Sequence, residues 1–173
     1  CSNLIVGVDE SMTINGDYTV SSTGSIQILE GGSLTVNGNL TIDGDVTLNS
    51  ISTKYSSLIV TGTTTGTINY KRYVNAFNGS TGNDLISPPL KNENFGNFAA
   101  NNPNIFENPS DPDQKLYGPF NEAAGNYEIY SVSVNSGTDL TSGVGYRAAR
   151  DSSWDGTYGN TFTFTGEIET GIV

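Results

Sequence analysis

The sequence predicts an all-β protein in which a short β-solenoid-like repeat region is followed by a β-sandwich of jelly-roll-like form. Three observations predict this class. The composition combines 21 glycines and only 14% charged residues with abundant threonine, tyrosine, valine and isoleucine, which suit a pleated, half-buried surface. Short aliphatic triplets recur early in the chain, and longer alternating segments separated by turn residues follow them. We expect the repeats to occupy residues 1–66 and the sandwich residues 67–173.

The repeat is strictest in the segment GGSLTVNGNLTIDGDVTLNS, residues 31–50. Three triplets there, Leu34–Val36, Leu40–Ile42 and Val46–Leu48, each place two aliphatic residues around a threonine. The alternation of inward aliphatic and outward polar side chains is the period of a β-strand. Asn-Gly and Asp-Gly pairs separate the triplets, and these residues can enter the left-handed conformation that sharp corners need.

Two architectures fit this repeat. In a β-solenoid, three strands and three corners complete a coil, and stacked coils bury a narrow aliphatic column. In a meander, each Asn-Gly or Asp-Gly would form a hairpin turn. We favour the solenoid because such short strands would make very short hairpins. It predicts one inward-facing column formed by Ile14, Val20, Ile28, Val36, Ile42 and Leu48.

The segments lengthen from residue 67 onward. We expect strands in TINYKRYV, NDLISPPL, GVGYRAARD and TFTFTGEIETGIV, and a hairpin between KLYGPF and YEIYSVSV. Helix is expected only as a turn or so between Asn94 and Ala100. Several strands separated by turn signals are typical of a β-sandwich.

The net charge and the hydropathy pattern argue against a nucleic-acid partner and against a transmembrane segment. The net charge of −11 arises from 18 acidic and seven basic residues, and this field repels polyanions, so we expect no nucleic-acid partner. The longest aliphatic stretches, such as Leu58–Val60, are far too short to span a bilayer. We therefore expect no transmembrane segment.

The chain has one cysteine, Cys1, and no histidine. An internal disulfide is therefore impossible, and histidine-dependent triads and most zinc or iron sites are excluded. Cys1 has three open interpretations: the lipid-modified residue of a bacterial lipoprotein, half of a disulfide with an upstream partner, or the edge of a fragment. We favour the fragment, with an incidental or formerly paired cysteine.

Several segments of the sequence, taken in order, resemble those of a known protein family. The succession LTVNGNLTIDG, SSLIVTGTTTGTINYKRYV, NDLISPPL, YGPFNEAAGNYEIY, LTSGVGYRAA and FTFTGEIETGIV resembles a β-rich module of large secreted proteins of the Bacteroidetes. Such proteins tend to be exported by the type IX secretion system and to carry a C-terminal sorting domain. The resemblance implies an extracellular or cell-surface module beside other domains of a longer chain, and it implies no reaction. No sorting domain follows Val173, which agrees with a fragment.

Paired carboxylates are the candidate metal ligands. Asp111 with Asp113, and Asp151 with Asp155, stand in oxygen-rich segments, and calcium prefers clustered oxygen ligands. Neither pair has the spacing of an EF-hand loop. The alternative is turn and cap chemistry, for which aspartate is well suited. We favour this alternative, so we expect no obligatory cofactor and keep calcium as the candidate ion.

Aromatic residues are the candidate ligand-binding residues. Trp154 and Tyr158 lie in the glycine-containing segment DSSWDGTYGN, and Tyr117, Tyr127 and Tyr130 flank the expected hairpin. An exposed aromatic platform beside polar side chains can hold a sugar ring. The alternative is that Trp154 packs into the sandwich core or beneath its own loop.

We do not expect an enzyme. A glycosidase needs two carboxylates facing each other across a cleft, but Glu167 and Glu169 would share one face of a strand. Nothing in the sequence marks Glu122 or Glu128 as buried. The expected function is a non-enzymatic structural or adhesive module of a secreted bacterial surface protein. The alternative is a carbohydrate-binding module of a polysaccharide-degrading enzyme, with surface glycans as ligands.

Overall fold

The computed structural model describes residues 3–79 and 83–168, so Cys1 and Glu169 lie outside the described residues. The fold is all-β, and its first part is a β-solenoid-like arrangement of about three turns. The described residues form two compact units. One comprises the residues up to Arg72 together with those from Phe164 onward, and the other is Tyr73–Thr163.

The first unit is a stack of short strands. Its strands are β1 (Asn3–Val6), β2 (Ser11–Asn15), β3 (Tyr18–Val20), β4 (Ser25–Ile28), β5 (Ser33–Asn37), β6 (Leu40–Ile42), β7 (Asp45–Leu48), β8 (Ser50–Ile51), β9 (Lys54–Tyr55), β10 (Ser57–Val60), β11 (Thr64–Thr65) and β12 (Ile68–Tyr73). Each coil gives one strand to each of three sheets: β1-β4-β7-β12, β2-β5-β10 and β3-β6-β11. The pairing between these coils is parallel. The solenoid is therefore confirmed, and the alternative of a hairpin meander is wrong for the repeat.

The coils differ in length only at their corners. Ser33 pairs with Ser11 of the coil before and with Ser57 of the coil after. More residues separate Ser33 from Ser57 along the chain than separate it from Ser11. On the neighbouring sheet, the step from Ser25 to its partner Asp45 is shorter than either. The short corner before β7 accounts for the smaller step, and the antiparallel hairpin β8–β9, inserted between β7 and β10, accounts for the larger one. The sheets absorb both changes without losing register.

The predicted aliphatic column fills the inside of the coils. Five of its six members, Val20, Ile28, Val36, Ile42 and Leu48, are buried. Ile14 is only half-buried; its strand β2 belongs to the first coil and pairs with β5 on one side alone, whereas Val20 on β3, which also pairs on one side alone, stays buried. Burial of these side chains removes apolar surface from water, which is the main stabilising term for such a stack.

Three glycines stack at one corner of the solenoid. Gly16, Gly38 and Gly62 occupy the same place in successive coils, and the Gly62 N–H donates to the Gly38 carbonyl at 3.0 Å. A Cβ added at Gly38 would lie 2.6 Å from the Gly16 carbonyl oxygen and 2.7 Å from the Asp17 nitrogen. The Asn-Gly separator of the sequence is therefore needed for close backbone approach as well as for turning.

Polar side chains beside these glycines hold one coil to the next. The Asn37 amide donates to Asn15 Oδ1 at 3.0 Å. The Asn39 backbone N–H donates to Asp17 Oδ1 at 2.8 Å, and Asn39 Oδ1 in turn accepts from the Thr63 N–H at 2.9 Å. Asparagine and aspartate are thus used here because they satisfy backbone donors at the corners that the strand ladders leave unpaired.

The first coil ends in open strand edges. Strands β1, β2 and β3 each lie at one edge of their sheets among the described residues. Met12 shares its register with Leu34 of the next coil, yet Met12 is 39% exposed whereas Leu34 is 0% exposed. This inward-facing position is covered by no coil of the described residues.

The second unit contains two antiparallel sheets. Its elements are β13 (Asp84–Ile86), α1 (Phe95–Asn101), β14 (Glu107–Asn108), β15 (Asp111–Lys115), β16 (Tyr117–Asn121), β17 (Asn126–Tyr127), β18 (Tyr130–Ser131), α2 (Val132–Asn135), β19 (Tyr146–Ala148), a 3-10 turn (Ser152–Trp154), α3 (Asp155–Tyr158) and the start of β20 (Thr161–Gly166). One sheet has the order β13-β19-β16-β17 and the other β14-β15-β18. The later residues of β20 complete the five-stranded sheet of the first unit.

The two antiparallel sheets of the second unit contribute to one aromatic core. Tyr117 from β16, Tyr146 from β19 and Tyr130 from β18 meet there with ring centroids 5.1 to 6.5 Å apart. Phe95 and Phe98 of α1 pack against Tyr117. This arrangement is sandwich-like, with α1 covering part of the core, and α1 forms where the sequence predicts helix, with Asn94 as its cap.

The predicted strand in YEIYSVSV is partly wrong. It breaks into β17 and β18, and Val132–Asn135 is a helical turn. Asp113 accepts hydrogen bonds from the Ser133 backbone and hydroxyl, and Asn135 Oδ1 accepts from the Ser131 N–H. These side chains satisfy the backbone donors of a helical turn, which alternation in sequence does not reveal.

Candidate functional site

Trp154 and Tyr158 form an exposed aromatic pair. They are 40% and 44% exposed, and their ring centroids lie 5.5 Å apart with the rings tilted by 58°. Trp154 lies on the 3-10 turn and Tyr158 on α3. Asp151 caps the start of the 3-10 turn, where it accepts a hydrogen bond from the Ser153 N–H at 2.8 Å. The alternative that Trp154 plugs the core is therefore wrong. Two adjacent rings in solvent are suited to stacking against a sugar ring.

The other aromatic candidates are separated from this pair by their burial or partners. Tyr117 is only 1% exposed, so it belongs to the core and cannot contact a ligand at the surface. Its strand neighbour Phe120 is exposed instead and packs edge-on against the half-buried Tyr127, with centroids 5.2 Å apart. Tyr130 is also buried.

Burial alters the acid–base chemistry of the core tyrosines. It raises the pKa of the Tyr117 hydroxyl well above its usual range, and nearby Tyr146 and Glu93 raise it further. Burial, with smaller contributions from Tyr146 and Glu128, raises the pKa of Tyr130 to about 12. The Tyr117 hydroxyl also lacks a hydrogen-bond partner among the described residues. Neither residue is suited to proton transfer near neutral pH.

The Tyr117 environment predicts a loss of stability in alkali. Above about pH 10 this tyrosine ionises in the unfolded chain but stays protonated in the folded chain, so unfolding releases a proton. Stability should then fall by up to about 1.4 kcal/mol per pH unit through this residue, with no such dependence below that pH. Urea unfolding of Tyr117→Phe should show a shallower alkaline decline, with equal or greater stability at neutral pH because an unpaired buried hydroxyl is removed. An unchanged alkaline slope in the variant would contradict this assignment.

Three of the four aspartates considered for calcium, Asp113, Asp151 and Asp155, have protein partners. Asp155 forms an ion pair with Arg150, whose side chain is buried and whose Nε donates to the Val74 carbonyl at 2.8 Å. Asp151 is the cap described above. Asp113 accepts from Ser133, and Asp111 is exposed at the start of β15. Within residues 3–79 and 83–168, no group of three or more His, Cys, Asp or Glu side chains could hold a metal ion. The partners agree with cap and turn chemistry, and calcium binding stays a prediction.

A second surface feature lies on the outer face of the four-stranded sheet. Arg147 of β19 is paired in register with Leu85 of β13 and Gly118 of β16. Gly118 is required there because an added Cβ would overlap the Glu128 carbonyl. The outer position beside Arg147 therefore holds no side chain, and Leu85 on the other side is exposed.

Two hollows flank Arg147, and together we call them the Arg147 groove. The first is lined by Asn83, Asp84, Leu85 and Tyr127. The second, with a volume of about 320 Å³, is lined mainly by apolar side chains, among them Phe77, Phe106, Leu116 and Ile129. Arg147 lines both hollows.

Among the residues that line the Arg147 groove, only Tyr127 is predicted from the sequence to bind a ligand. The segment GYRAA places Arg147 opposite to Tyr146 and Ala148 by strand alternation, so its outward direction could be read from sequence. The neighbours of Arg147 could not be read from the sequence, because Phe77, Leu85 and Phe106 come close to Arg147 only through contacts between distant segments.

Comparisons were made with protein-family models, with curated proteins and with solved structures, and none of them matches this chain. In the part of the chain that the structure describes, the helices are all too short or too polar to cross a membrane.

Proposed function

We propose that the chain is a non-enzymatic structural module of a secreted bacterial surface protein, and that the first coil of its solenoid stacks on a neighbouring domain. The observation that carries this proposal is the open end of the solenoid. Three parallel strand edges lie at that end, and Met12 is uncovered where Leu34 one coil later is fully buried. Parallel edges with unpaired backbone groups are templates for further strands.

The rest of the solenoid supports a scaffolding role. Its inward residues form an aliphatic column, and its corner residues Asn39, Asp17 and Thr63 are engaged in bonds between coils. Side chains used in this way build a regular stack. The resemblance to secreted surface modules of the Bacteroidetes, with export by the type IX system, supports the extracellular location.

The test uses the protein in its producing bacterium. Met12→Lys places a charge on the open end, and Thr13→Lys places the same charge on the exposed outer side of the same strand. Both isolated variants should melt like the parent chain, because both positions lie at the surface. The amount retained at the cell surface, measured with a membrane-impermeant label, should fall for Met12→Lys and not for Thr13→Lys. Equal retention of the two variants would contradict stacking, and failure of the label to reach the parent protein would contradict the extracellular location.

A carbohydrate-binding module is the second candidate function, and the exposed Trp154–Tyr158 pair favours it. The short elements that carry the pair are held by the Asp151 cap and the Arg150–Asp155 ion pair, so the rings are presented from a fixed base. Affinity gels containing polysaccharides should retard the chain if this candidate is right. Trp154→Ala should abolish the retardation, whereas retardation that survives Trp154→Ala would place the sugar elsewhere.

A further inference from the structure

The Arg147 groove combines a charged side chain with an unusual amount of exposed apolar surface. In a sheet with one face in the core, the outer face is normally polar. Here Leu85, Phe120 and Ile129 are large, apolar and exposed. Grouped exposed apolar side chains on a small domain commonly mark a place of contact.

The Arg147 side chain is held in position but not neutralised. Its Nε donates to Asn83 Oδ1 at 3.0 Å, and it has no ion pair with any residue that the structure describes. The bond to Asn83 orients the planar guanidinium and leaves its terminal nitrogens as donors. Such a pair of donors matches a carboxylate, to which arginine binds in a bidentate manner.

The charges around the groove limit how acidic its ligand can be. Asp84 lines the first hollow, and Lys115 at the second hollow already forms an ion pair with Glu107. The whole chain carries a net charge of −11. A polyanion would meet repulsion around one attractive arginine, whereas a ligand with a single carboxylate would meet mainly the attraction.

The backbone of β19, which carries Arg147, is closed to a peptide that binds as an added strand. Strand β19 lies between β13 and β16, so its backbone groups already belong to ladders on both sides. Recognition beside Arg147 must therefore use side chains. The groove is lined by the rings of Phe77, Phe106 and Tyr127 and by the amides of Asn108 and Gln114, of which Asn108 donates to Gln114 Oε1 at 3.0 Å. Aromatic faces beside amides suit the apolar faces and hydroxyl groups of a sugar ring.

From these observations we infer that the Arg147 groove binds a glycan bearing one isolated carboxylate, such as a uronic acid at the end of an otherwise neutral oligosaccharide. Arg147 holds the carboxylate, and the aromatic side chains pack against the sugar rings. This site is separate from the Trp154–Tyr158 pair and does not depend on the stacking role proposed for the solenoid.

The inference is tested by isothermal titration of the intact chain with an oligosaccharide of neutral sugars that ends in one glucuronic acid. Arg147→Gln should weaken binding by at least about tenfold, because hydrogen bonds to a charged group are lost. Reduction of the ligand's carboxylate to an alcohol should weaken binding by a similar factor. Trp154→Ala should leave the affinity unchanged. Arg147 is partly exposed, so the melting temperature of Arg147→Gln should stay close to that of the parent chain.

A second variant controls for a local change of fold caused by Arg147→Gln. Ile129→Asp puts a negative charge on an exposed position of the groove and should weaken binding of the acid sugar more than binding of its reduced form. The inference is overturned if the acid sugar does not bind, or if Arg147→Gln binds it as well as the parent chain. It is also overturned if polygalacturonate or a peptide with a free carboxyl terminus binds more tightly.

Discussion

Gly38→Ala is expected to lower the free energy of unfolding by roughly 3 kcal/mol or more, the range of severe overpacking. The added methyl group would press on the backbone of Gly16 and Asp17 in the preceding coil, and backbone cannot move aside as a flexible side chain can. Separating these two coils would also lengthen the hydrogen bond from the Gly16 N–H to the Asn37 carbonyl, which is 3.0 Å long. Chemical denaturation monitored by circular dichroism measures the loss.

Gly137→Ala is the matched control for this prediction. An added Cβ at Gly137 would meet no heavy atom within 4 Å, and its φ does not lie in the left-handed region. That variant should be neutral or more stable by up to about 1 kcal/mol, because alanine restricts the unfolded chain. If Gly38→Ala and Gly137→Ala are equally stable, the close stacking of the corner glycines is not a requirement of the fold.

Asn102→Ala is expected to cost roughly 2–3 kcal/mol, the second large effect. Asn102 is buried, and its side chain is hydrogen-bonded to backbone groups on two segments. Its amide donates to the Phe98 carbonyl at 2.8 Å and to the Thr163 carbonyl at 2.9 Å, and its Oδ1 accepts from the Thr163 N–H at 2.7 Å. The side chain thus pairs with Thr163 as a neighbouring strand would, and truncation leaves these groups without partners.

Two further variants make this prediction specific. Asn102→Asp keeps the shape but directs a carboxylate oxygen at two carbonyl oxygens, so it should destabilise the chain at neutral pH at least as much as alanine does. Asn101→Ala changes the exposed neighbouring asparagine and should stay within about 0.5 kcal/mol of the parent chain. Greater stability of Asn102→Asp than of Asn102→Ala would show that the two donated hydrogen bonds are not made.

The solenoid could be predicted from sequence because its information is local. Each triplet such as Leu40–Ile42 carries its own alternation, and each separator such as Asn37–Asn39 carries its own corner, so the period is visible within a short segment. The end effect at Ile14 was not visible, since nothing in that strand distinguishes an outer coil from an inner one.

The second unit was harder to predict because alternation defines two faces without saying which is buried. In the strand from Tyr117 to Asn121, either Tyr117 with Pro119 or Gly118 with Phe120 could face the core. The sequence-based expectation of an exposed Tyr117 chose the wrong face. In the structure Tyr117 pairs with Ala148 and Pro119 pairs with Tyr146, and both partners are buried. The Arg147 groove depends on the same long-range pairing, so no local pattern announces it.

The hairpin β8–β9 has a consequence for how such a chain can change in length. It adds residues between β7 and β10, yet β12 still pairs in parallel with β7, with Thr47 opposite Asn69 and Leu48 opposite Tyr70. Extra sequence at this corner is carried outside the column and does not disturb the coils beyond it. The exposed turn at Ser52 and Thr53 is therefore a natural insertion point, where a foreign loop or reporter peptide can be grafted while the stack keeps its register.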